Sequence, residues 1–127
     1  MKLAVVGTGY VGLVTGSCLA NFGNEVVCVA VDVGKVETLK NGRVPFFEPG
    51  LSDVMGSNLS SGRLDFTTDL ASAVNGSEMV FITVGTPPDS TGSAELSTVW
   101  EVARAIGRCM EDTKIIVTKS TVPVGTT

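Results

Sequence analysis

The run Gly7-Thr8-Gly9-Tyr10-Val11-Gly12 sets three glycines at G-x-G-x-x-G spacing, a pattern whose chemistry is the holding of a diphosphate. Glycines gather in many turns, so the pattern draws its weight from its setting. It follows a short apolar run, Leu3 to Val6, and opens a segment in which Val11, Val14, Cys18, Leu19 and Phe22 recur at helical spacing. In such a strand-to-helix turn Gly7 permits the tight bend, Gly9 lets backbone amides approach a pyrophosphate, and Gly12 lets the helix pack closely on the strand. A helix N-terminus carries unpaired N–H groups and partial positive charge, so phosphates are held without any Lys or Arg in the loop. Gly16 and Ala20 continue Gly12 at intervals of four and read as packing positions on the same helix face.

A dinucleotide site normally adds an acid about twenty residues beyond the glycines, at the end of the second strand, to bind the adenosine ribose. That position here is Ala30, a departure from the pattern. Asp32 would point to the same side of an extended strand but roughly 6.6 Å further along, so it substitutes only if the chain bends back. Losing a charge-assisted hydrogen bond costs about 1.5 to 3 kcal/mol, and weakened NAD binding is expected. Lys35 is the cation nearest by, and no Arg follows directly to favour NADP.

The rest of the composition removes other chemistries. With no His, the usual general base and the commonest metal ligand are missing, and no metal site is expected. Cys18, Cys28 and Cys109 are odd in number and lie in apolar stretches, which reads as reduced core thiols. Nine basic residues against 13 acidic ones give a net charge of -4, with no cationic cluster to hold nucleic acid or an anionic membrane. No apolar run reaches the ~20 residues of a membrane span, and no signal-peptide core follows Met1, so a cytoplasmic location is expected.

To position the loop, the chain alternates strand and helix patterns, which implies an α/β fold: a doubly wound parallel sheet of the Rossmann type. Strands are expected at Leu3 to Val6, Glu25 to Val31, Leu64 to Thr67, Met79 to Val84 and Ile115 to Thr118. Helices are expected at Tyr10 to Phe22, Asp32 to Lys40, Asp69 to Val74 and Leu96 to Met110. Residues 43 to 62, rich in Pro, Gly and Ser, read as a structured excursion with one or two helical turns, and 85 to 95 as loop. At 127 residues the chain suits one domain, 1–127, and stops just after its fifth strand, where an open sheet would normally continue. It therefore reads as a truncated piece of something longer, with the fifth strand at the sheet margin.

GTGYVG at 7 to 12, K-x-x-x-L-x-x-G from Lys35 to Gly42, PFFEPGL at 45 to 51, GRLDFTTDLASAV at 62 to 74, VGTPP at 84 to 88 and KSTVPVGT at 119 to 126 together resemble the UDP-glucose/GDP-mannose dehydrogenases, over the entire chain. The variant of each motif is nearer the UDP-glucose branch. The resemblance implies an NAD-dependent, four-electron oxidation of a nucleotide sugar's C6 alcohol to a carboxylate, by two hydride transfers and a cysteine-bound intermediate, in a homo-oligomer when full length. None of the three cysteines sits in a segment matching the family's catalytic motif; its nucleophile, lysine, asparagine and sugar-nucleotide domain would fall beyond Thr127, leaving these residues inactive alone.

Carried over by position, the resemblance has Tyr10 and Val11 framing the pyrophosphate, Ala30 in the ribose acid's place, and Lys35 reaching the ribose or its phosphate. Val84, Gly85, Thr86 and Pro87 would line the cofactor. Ser120, Thr121 and Val122 would approach the nicotinamide, with the Thr121 hydroxyl orienting a water or substrate oxygen as the catalytic contribution. Glu48 reads as a cap for the turn before Leu51. The same fold also serves non-catalytic sensing domains that bind NAD or ATP, and, with less support here, methyltransferases; the VGTPP and STVPVG loops and the 43 to 62 excursion favour the dehydrogenase.

Overall fold

In the computed structural model, which describes residues 1–127, ten elements follow one another: β1 (Lys2–Val6), α1 (Tyr10–Asn21), β2 (Glu25–Val29), α2 (Val33–Lys40), α3 (Leu51–Ser60), β3 (Leu64–Thr67), α4 (Leu70–Asn75), β4 (Met79–Ile82), α5 (Ser97–Cys109) and β5 (Ile115–Thr118). The strands form one sheet in the order β3-β2-β1-β4-β5, parallel throughout. The chain winds outward from β1 to β3, then crosses back to lay β4 on the other side of β1. That reversal leaves a crevice at the C-terminal ends of β1 and β4, where such sheets bind ligands.

The period of two in β1 divides the core. Leu3 and Val5 join a 13-residue cluster with α1, α2 and α3, including Leu13, Leu39, Met55 and Phe66. Ala4 and Val6 join an eight-residue cluster with α4 and α5, including Val74, Val80, Ile82 and Ile106. Each buried aliphatic of this size contributes about 1.5–3 kcal/mol, whereas the two ion pairs, Lys2–Glu25 and Lys40–Asp65, are well exposed and worth about 0–1 kcal/mol each. Apolar burial decides the fold.

Three expectations are corrected. The second strand stops at Val29, because Asp32 turns the chain: its carboxylate accepts from the Lys35 N–H at 2.6 Å and caps α2, leaving Val31 fully exposed. The 43 to 62 segment holds the ten-residue helix α3 rather than a turn or two. Its Ser and Gly content disguises a face on which Leu51 and Met55 bury against α1, and burial overrides propensity. Finally, Cys18 is exposed on α1, so only Cys28 is a fully buried thiol. β5 lies at the margin as expected, bonded to β4 alone.

Candidate functional site

Gly7 adopts φ +111°, a left-handed conformation that disfavours side chains, and its N–H donates to the Val29 carbonyl at 3.0 Å. Gly12 is fixed by packing: a Cβ there would lie 1.9 Å from the Gly7 oxygen. Gly9 differs from both. It is the N-cap of α1, no side chain caps the helix, and a Cβ built on it would meet nothing within 4 Å. The first-turn amides of α1 have no acceptor in the helix, the series beginning with Leu13 N–H to the Gly9 carbonyl at 3.0 Å. Bare donors facing space that a side chain would fill fit a diphosphate.

The loop forms one wall of a cleft of about 500 Å3 at the C-terminal ends of β1, β2 and β4. Gly7, Gly9, Ala30, Lys35, Val84 and Gly85 meet there, together with Asp32. Asp32 thus returns to the cleft through the bend, with its carboxylate engaged as the α2 cap, while Ala30 presents only a methyl group.

Other expected residues stand apart from this lining. Gly12 lies beneath the loop. Val11 is exposed at the helix start, and Tyr10 turns toward the segment before α3, its ring 5.1 Å from that of Phe46 and its hydroxyl donating to the Glu48 carboxylate. Glu48 is accordingly no side-chain cap, and the phenol's ionisation is pushed up by that hydrogen bond. Thr86, Pro87, Ser120, Thr121 and Val122 sit on the loops after β4 and β5. Those loops are stitched together: Ser120 Oγ donates to the Val84 carbonyl at 2.7 Å, and Thr86 Oγ1 to the Thr121 carbonyl at 2.7 Å.

Thr83, absent from the sequence-based set, is buried with its hydroxyl 3.0 Å from both the Val6 and Gly7 carbonyls, to which it donates. Its signal is a polar residue closing the apolar run of β4 beside the first strand. Thr98 and Glu101 of α5 also line the cleft. The apolar spacing of that helix hid them, since it assigns their positions to solvent. No cysteine lines the cleft, and burial pushes the Cys28 thiol up to about 12, an inert form.

A parallel sheet that reverses its winding beside a glycine-lined, uncapped helix start defines a dinucleotide-binding domain of the Rossmann type. The chain belongs to the UDP-glucose/GDP-mannose dehydrogenase family, whose NAD binding domain matches residues 1–127. It is 54% identical over 127 residues to a UDP-glucose 6-dehydrogenase of Rhizobium meliloti, covering 99% of this chain and 29% of that protein. It is 51% identical to the Bacillus subtilis UDP-glucose 6-dehydrogenase TuaD, covering 98% of this chain and 27% of that protein. Among solved structures, a UDP-glucose dehydrogenase from Pyrobaculum islandicum superposes with a TM-score of 0.93 at 45% identity, over 98% of this chain and 30% of that one. The chain thus spans under a third of the length of these relatives.

Proposed function

We propose that this domain holds NAD for the oxidation of a UDP-sugar, UDP-glucose at C6 being the substrate that the similar proteins' names support, within a longer enzyme. GDP-mannose 6-dehydrogenases are similar at a lower level, 38–39% identity, which favours the uridine branch. NAD, when bound, accepts a hydride at its nicotinamide ring. The chain's own part is to seat the diphosphate on the amides after Gly9, to line the cofactor with Ala30, Lys35 and residues 84–87, and to bring Ser120, Thr121 and Val122 beside the reacting end. There the Thr121 hydroxyl orients a water or a substrate oxygen. Since no thiol lines the cleft, the 127 residues bind the cofactor without turnover, and the nucleophile and sugar site belong to the remaining length of the enzyme. A cytoplasmic, homo-oligomeric enzyme supplying uronic acid units for polysaccharide is the wider reading; the family resemblance supports it, and the three unpaired thiols support its compartment alone.

The observation that carries this reading is the open space at Gly9. Gly9→Ala is compatible with the backbone there, φ -74°, so thermal unfolding should show stability unchanged within about 1 kcal/mol. The added methyl would occupy the diphosphate's approach, and calorimetry should show NAD affinity falling at least roughly tenfold. A variant that binds NAD as well as the parent would remove the proposal's foundation.

A further inference from the structure

The cleft runs from the glycine loop into a slot between the end of β2 and the helix α5. Val29, Leu70, Val84 and Val102 give it apolar walls. Thr98, Glu101, Val102 and Ala105 all line it, and their spacing of i, i+3, i+4 and i+7 turns one face of α5 toward it. An apolar slot with a few polar groups suits a flat heteroaromatic ring, whose orientation the polar groups then fix. Two carboxylates reach this cleft. Asp32 is engaged by the Lys35 N–H, whereas the Glu101 carboxylate makes neither a hydrogen bond nor an ion pair within the chain. Position 30, where an acid would otherwise anchor the adenosine, is a methyl group.

We infer that Glu101 reads the adenine base, its carboxylate accepting a hydrogen bond from the exocyclic 6-amino group, and so recovers on α5 part of the adenosine recognition that Ala30 forgoes. The inference rests on the NAD reading of the cleft. A carboxylate accepts and does not donate, so a base with hydrogen in place of the 6-amino group leaves it without a partner. A site built to pair a donor rejects the analogue that lacks it more strongly than an apolar pocket rejects a change of shape. Glu101 is therefore a specificity residue, remote from the reacting ring.

The test is calorimetric titration with NAD and with nicotinamide purine dinucleotide, whose base carries hydrogen in place of the 6-amino group and is otherwise the same. The parent chain should bind NAD at least roughly tenfold tighter, Glu101→Ala should bring the two within about threefold, and Glu101→Gln, whose carboxamide oxygen still accepts but carries no charge, should fall between them. Glu101 is exposed, so both variants should melt with the parent. Repeating the series on Ala30→Asp provides tighter binding in which the same ratio is read. An undiminished preference for NAD in both Glu101 variants overturns the inference and leaves the NAD reading standing. If neither dinucleotide binds even to Ala30→Asp, the NAD reading falls, and this inference with it.

Discussion

Ala30 is the residue at which the chain departs most sharply from what its cleft should contain. It is 6% exposed at the end of β2, and its N–H is spent on the Thr67 carbonyl at 3.0 Å, so it offers a ligand no polar side-chain atom. Ala30→Asp places a carboxylate on the cleft wall, where a charge-assisted hydrogen bond contributes about 1.5–3 kcal/mol. NAD affinity measured by calorimetry should accordingly rise about ten- to a hundredfold, and equal affinities would mean that adenosine recognition lies wholly elsewhere. The neighbouring Asp32 shows why spacing alone leaves such a position open. An extended strand would carry it beyond reach, and the bend that returns it to the cleft is made by its own side chain, which caps α2.

Between elements, the glycine loop is held by the end of β4 as well as shaped by its own glycines. Thr83 Oγ1 is the partner of the Gly7 carbonyl, while the Val6 carbonyl also receives the Thr83 N–H at 2.9 Å. Thr83→Val keeps the volume and deletes the hydroxyl, leaving the Gly7 oxygen unpaired. Urea unfolding should register a loss of about 1–2 kcal/mol, with NAD affinity falling in parallel as the loop relaxes. The strand and helix sequence was readable from period and from Gly, Asn and Asp boundaries, because local rules fix those features. Helix α3 was not, since Leu51 and Met55 reveal their face only against α1. The pairing of Tyr10 with Glu48 was equally hidden: residues 38 apart in sequence become neighbours only once α1 and α3 pack.

For the whole molecule, the parallel, doubly wound sheet followed from the alternation of strand and helix patterns, and a crevice at its strand ends is what such sheets share. What alternation could not supply is how the buried layers respond to conditions. Cys28 is raised from 9.0 to about 12 by burial, with Asp65 adding a repulsive contribution. Because the folded state keeps this proton more tightly, the stability it contributes is complete below pH 9 and drains as pH climbs toward 12. Melting temperatures across that range should fall more steeply for the parent than for Cys28→Ala; matching slopes would mean that the thiol ionises without unfolding anything. The sheet margin has a different consequence. β5 leaves one row of amides and carbonyls unbonded, beside Ile115 and Ile116 at 56% and 38% exposure. Two such rows from separate molecules can zip together and so use each other up, and crowding the isolated 127 residues drives them into pairs, opposed at the ends of the strand by the mutual repulsion of Lys114 and Lys119.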